Sequence, residues 1–70
     1  MEKLELIING EKVKLPENVG NVSELIQHFG LDHKVVMIEL NQEILEKSKH
    51  SETILSNGDR VEMVHFVGGG

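Results

Sequence analysis

Asn9-Gly10 lies between two short runs of alternating residues: Leu4, Leu6 and Ile8 with Glu5 and Ile7 before it, Val13 and Leu15 with Lys12 and Lys14 after it. This dipeptide constrains the chain more than any other. A two-residue type I′ turn needs positive φ at both central positions, which asparagine and glycine adopt at least cost, so two alternating runs joined by Asn-Gly read as a β-hairpin. A lone hairpin is marginal in water, and its apolar face needs cover. Pro16 ends the second strand, and a loop runs to Gly20.

The cover comes next in the chain. Asn21-Val22-Ser23-Glu24 has the form of a capping box, with Asn21 able to accept from free helix N–H groups and Glu24 three residues later. Val22, Leu25, Ile26 and Phe29 fall at i, i+3, i+4 and i+7 and form one apolar stripe, which Gly30 terminates. A helix of about two turns is too short to persist unaided, so its stripe requires a sheet to pack against.

Residues 35–40 read as a third strand, with Glu39 facing water and Val36, Ile38 and Leu40 inward. Asn41-Gln42 is a bend, residues 43–47 a short edge strand, and residues 47–52 a polar stretch with room for one helical turn. Ser56-Asn57-Gly58-Asp59 is a tight turn, and residues 60–67 form a last strand that runs into Gly68-Gly69-Gly70. A strand that follows a helix usually returns parallel through a right-handed crossover. The expected architecture is α+β: a mixed sheet of four to five strands with one helix packed on one face, over residues 1–67, followed by a flexible glycine tail at residues 68–70.

Seventy residues make one domain, and at this size net stability is on the order of 3–10 kcal/mol. The chain has no cysteine, which excludes a disulfide, a catalytic thiol, a thiolate metal site and an iron–sulfur cluster. Met1-Glu2-Lys3 has no basic, apolar leader pattern, and no apolar run approaches the ~20 residues that span a bilayer. The expectation is a small soluble protein of the cytoplasm. A net charge of −5, with Phe29 and Phe66 as the only aromatic side chains among Phe, Tyr and Trp, argues against nucleic-acid binding. The same charge either suits a basic patch on a protein partner or serves solubility.

In the last strand Val61 and Met63 share one face, and Val64 and Phe66 fall on the other, beyond Glu62. If the first pair joins the core, then Val64 and Phe66, with Ile7 and Met37 by the same alternation, form an apolar patch on the face that has no helix. Such a patch marks a binding surface. The alternative is a bulge near Val64, or a tail folded over the patch, that removes it from solvent.

The glycines at the end are the residues best suited to chemistry. Without Cβ atoms, Gly68, Gly69 and Gly70 make a bare peptide end that can thread a narrow channel, and its carboxylate can be used as a reagent. The remaining candidates are weaker. His28, His33, His50 and His65 lie in separate elements without a metal-ligand spacing; Glu39, Glu43 and Glu46 read as a solvated edge; Ser23 and Ser48 lack the context of a nucleophile elbow.

Taken together, the Asn9-Gly10 hairpin, the helix with its Val22–Phe29 stripe, the third strand, the Asn57-Gly58-Asp59 turn and the ending Val67-Gly68-Gly69-Gly70 resemble the β-grasp, or ubiquitin-like, fold. Within it, the chain resembles the sulfur carrier proteins of thiamine biosynthesis, the ThiS family. The similarity covers the whole length and is most specific over residues 58–70. Three glycines stand where the family needs two, which leaves Gly68 open between strand end and tail.

That resemblance implies a carrier, not an enzyme, with no bound cofactor. A ubiquitin-activating-like adenylyltransferase would use ATP to adenylate the Gly70 carboxylate. A persulfide from a cysteine desulfurase relay would then replace the adenylate, leaving a C-terminal thiocarboxylate, and thiazole synthase would take the sulfur. Neither nucleic acid nor membrane is implied as a partner. Two related readings remain, a molybdopterin synthase small subunit and a ubiquitin-like protein modifier. A third, from a different class, is a plain interaction domain with a linker remnant at its end.

Overall fold

The Asn9-Gly10 turn takes positive φ at both residues, +49° and +86°. Strands β1 (Glu5–Ile8) and β2 (Glu11–Lys14) leave it antiparallel, with Leu6 opposite Val13. This geometry comes from a computed structural model that describes residues 4–66. The end of the last strand at Val67, the tail Gly68-Gly69-Gly70 and the N-terminal Met1-Glu2-Lys3 lie outside the described residues.

Helix α1 (Val22–His28) begins with the full capping box. Asn21 Oδ1 accepts the Glu24 N–H at 2.8 Å, and Glu24 Oε1 accepts the N–H groups of Gly20 at 2.8 Å and Asn21 at 3.2 Å. Two donors that a short helix would otherwise leave open, those of Asn21 and Glu24, are thereby satisfied, and the Gly20 N–H just before the cap is held as well. At the other end Gly30, at φ +70°, donates to the Gln27 carbonyl while Leu31 donates to Ile26. This is a Schellman stop with its apolar residue just beyond the glycine. Val22, Leu25 and Ile26 are buried as the stripe requires. Phe29 departs from it: the helix ends at His28, Phe29 is the cap, and its ring is 41% exposed, edge-on to His28 at 5.2 Å. Leu31, half-buried against the core, supplies apolar contact there.

Three further strands complete one five-stranded sheet in the order β2-β1-β5-β3-β4: β3 (Val36–Leu40), β4 (Glu43–Leu45) and β5 (Arg60–His65). β5 runs parallel to β1 and antiparallel to β3, and β3 runs antiparallel to β4. It follows that β2 and β3, the strands on either side of α1, point the same way. The crossover expected of the helix is present, with β1 and β5 between the two strands it joins. A single 3₁₀ turn (Lys47–Lys49) carries the chain from β4 toward the last turn.

The core lies between the sheet and α1. Leu6, Ile8, Ile38, Val61 and Met63 face inward from the strands, and Leu15, Val19 and Leu55 join them from loops. Each fully buried aliphatic side chain contributes about 1.5–3 kcal/mol. The β5 register is unbroken from Val61↔Leu40 to His65↔Val36, so no bulge turns its outer residues inward.

Candidate functional site

With α1 on one face, the other face of the sheet is bare among the described residues, and the alternation of β3 and β5 decides what it shows. Met37 and Val64 are direct cross-strand partners, 47% and 56% exposed. Phe66, 58% exposed, continues the row: its N–H donates to the Val35 carbonyl at 3.1 Å, which keeps the chain extended one residue past β5. Val35, across from it, is exposed as well. Ile44 of β4 is also exposed and sits opposite Glu39.

Of the four residues that alternation assigns to an outer patch, the structure brings Met37, Val64 and Phe66 together. Ile7 stands apart. It is half-buried between Lys12 and Arg60, its register partners, and Arg60 precedes Val64 by four residues, about 13 Å along a strand. Val35 and Ile44 belong to the patch although the sequence reading did not place them in it. Counting back by two from Met37 finds Val35, whereas Ile44 depends on the pairing of β4 with β3, a non-local fact.

Between these strands Met37, Ile38, Glu39, Ile44, Glu62 and Val64 line a shallow groove of about 140 Å³. Glu39 and Glu62 are direct register partners within it. Glu43 lies across from Leu40 and therefore on the opposite face from Glu39, so Glu39, Glu43 and Glu46 form no common site.

The histidines stay separate. His28 and His33 are exposed near the end of α1, with His33 Nε2 at 3.6 Å from Asp32 Oδ2, and His65 is exposed on β5. His50 alone is buried, and its Nε2 has no hydrogen-bond partner. Burial pushes its imidazole below the usual histidine range; the Leu45 carbonyl opposes this, and the Lys47 charge adds to it. Among the described residues no group of three or more His, Asp or Glu side chains is placed to hold a metal ion, and no helix is long and apolar enough to cross a membrane.

What the described residues offer is thus a presenting surface: an apolar, acid-edged sheet face that ends at Phe66, four residues before Gly70. Comparison with known proteins agrees in fold and sequence. The chain is 40% identical over 65 residues to the sulfur carrier protein ThiS of Bacillus subtilis (strain 168), covering 93% of this chain and 98% of that one. It is 36% identical over 67 residues to a thiazole synthase of Paramagnetospirillum magneticum; the match covers 96% of this chain and 20% of that longer protein. The crystal structure of the thiamine biosynthesis protein ThiS from Geobacter metallireducens superposes with a TM-score of 0.78 at 33% identity, over 96% of this chain and all of that one. A family model described as ThiS matches residues 3–70, through the final glycines. The chain belongs to the ThiS family.

Proposed function

We propose that this protein is a sulfur carrier in thiamine biosynthesis and that the carboxylate of Gly70 is the group it carries sulfur on. The observation behind this reading is the family match through Gly70, downstream of a strand whose outer face ends in the exposed apolar side chains of Val64 and Phe66. A carboxylate resists nucleophiles. Adenylation by a ubiquitin-activating-like enzyme exchanges an oxide leaving group for AMP. The outer sulfur of the persulfide on a cysteine desulfurase relay then displaces AMP, forming an acyl disulfide. A thiol attacks the relay-side sulfur, which breaks the S–S bond, releases the terminal thiocarboxylate and leaves the relay as a disulfide. Glycines leave the approach of both reagents free of Cβ atoms.

In this scheme the folded body has one task, which is to dock. Threading a glycine-rich end into an active site costs more conformational entropy than threading any other residues. Contacts made by Met37, Val64 and Phe66 offset that cost by burying apolar surface on the partner. Ile7, at the Arg60 end of the same face, would serve as an outlying contact. Thiazole synthase as the sulfur acceptor is supported by two relatives of that name, in each of which a segment about a fifth of the protein's length resembles this chain.

Intact-mass measurement tests the proposal. Incubated with ATP, the activating enzyme, the desulfurase, cysteine and a thiol reductant, the full chain should gain the mass of one sulfur in place of one oxygen at its terminus. A carboxylate that remains unchanged under those conditions overturns it. Rescue of a thiazole-requiring strain, without rescue of molybdoenzyme activity, separates this reading from the molybdopterin branch.

A further inference from the structure

We propose that the groove between β3, β4 and β5 receives an arginine side chain from the protein that docks on this face, an inference that rests on the docking role given to the face above. The groove is apolar first: Met37, Ile44 and Val64 wall it, and all three are exposed in the free protein. Its space of about 140 Å³ is too small for a helix or strand and admits a single side chain.

The charge in it is one-sided. Glu39 and Glu62 face each other directly across the β3–β5 ladder. Like charges in that position destabilise a sheet, so the pair does nothing for folding. Among the described residues the ion pair is Lys49–Glu52, with His33 at 3.6 Å from Asp32 the other close contact of such groups, and neither groove glutamate takes part in either. Arg60 shares their face two residues before Glu62 but makes no ion pair with it.

An arginine matches both halves of this arrangement. Its methylene stem packs along Met37, Ile44 and Val64, and its planar fork can donate to two carboxylates at once. A lysine would bring a compact, strongly hydrated charge without the planar fork, and is the weaker match to paired carboxylates beside apolar walls. A divalent cation fits poorly: two carboxylates fall short of the six to eight oxygens that calcium takes, and the remaining walls are apolar. A nucleic acid or an acidic peptide would meet two negative charges. A second copy of the chain, face to face, would bring four glutamates together. The net charge of −5 supplies the long-range attraction for a basic partner surface.

The test uses the full chain and two partners, thiazole synthase and the activating enzyme, with affinity measured by calorimetry at low and moderate salt. Glu39→Gln with Glu62→Gln should weaken binding to one partner at least tenfold and flatten its salt dependence, while the melting temperature of the free carrier holds or rises. An arginine of that partner whose replacement by alanine costs much less against the double variant than against the native chain identifies the inserted residue. Met37→Asp serves as the reference. If it abolishes binding while the glutamine variant binds both partners as tightly as native, the arginine inference is overturned and the docking face stands. If neither variant changes binding, or the native chain binds neither partner, the docking face fails and the inference fails with it. Self-association that is lost with Met37→Asp would assign the groove to a second copy and likewise overturn the proposal.

Discussion

The side-chain amide of Asn9 closes on the backbone of Met63 from both ends: its Oδ1 accepts the Met63 N–H at 2.8 Å, and its Nδ2 donates to the Met63 carbonyl at 3.1 Å. The amide thus stands in for one more residue of β1 after the chain has turned away. The same asparagine holds the positive φ that the hairpin needs. Two variants separate these duties. Asn9→Gly keeps the turn and removes both bonds, and should cost about 1–3 kcal/mol in urea denaturation. Asn9→Asp keeps the acceptor and replaces the donor by a second oxygen facing a carbonyl, and should cost at least as much. If Asn9→Gly proves as stable as the native chain, the bonds to Met63 contribute nothing.

The Asn41-Gln42 bend carries strain. Both residues have positive φ, +49° and +72°, and glutamine lacks the short side chain that makes this conformation tolerable. Asn41 holds the bend against β5: its Oδ1 accepts the Arg60 N–H at 3.0 Å, and its Nδ2 donates to Asp59 at 3.1 Å. Gln42→Gly should therefore raise stability by about 1 kcal/mol despite the flexibility glycine adds to the unfolded chain. A lower melting temperature would count against the assigned conformation.

His50 makes stability depend on pH. Its folded pKa lies below the unfolded value, so between the two the unfolded chain binds more protons. The contribution of neutral His50 is complete above the unfolded value near 6.5 and is lost as pH falls toward the folded one. Denaturation midpoints should decline from pH 7 to pH 5 in the native chain and decline less in His50→Leu. At pH 7 that variant should be neutral or stabilising, because it removes a buried nitrogen that has no partner. Equal slopes for the two proteins would rule out His50 as the cause.

Phe66→Asp separates surface from core. With Phe66 more than half exposed, the change should leave the melting temperature within a few degrees of native and weaken partner binding at least tenfold. Leu25→Ala, at a fully buried position under the sheet, provides the contrast and should cost about 2–5 kcal/mol, a large share of what a domain this size possesses. Comparable losses of stability from both would place Phe66 in the core.

Much of this was legible in the residues because it is local. Asn9-Gly10 fixes a turn, Asn21 and Glu24 start a helix that Gly30 stops, and alternation in residues 60–66 sorts the two faces of the last strand. The non-local facts were not legible. Nothing near Ile8 or Val61 in the sequence announces that they lie side by side in a parallel pair, and nothing near Glu39 points to Glu62. Phe29 fits the helical period yet falls beyond the last turn, where periodicity no longer governs exposure. Gln42 has no intrinsic preference for its conformation; contacts made by Asn41 with β5 hold it there.

β5 occupies the middle of the sheet, bonded to β1 on one side and β3 on the other, with Asn9 and Asn41 tied to it near Met63 and Arg60. Tension on Phe66 directed along the axis of β5 meets all of these bonds together. It loads those bonds in shear, many at once, instead of peeling them in sequence. An enzyme that grips the end of this carrier can drag on it hard without unravelling the domain.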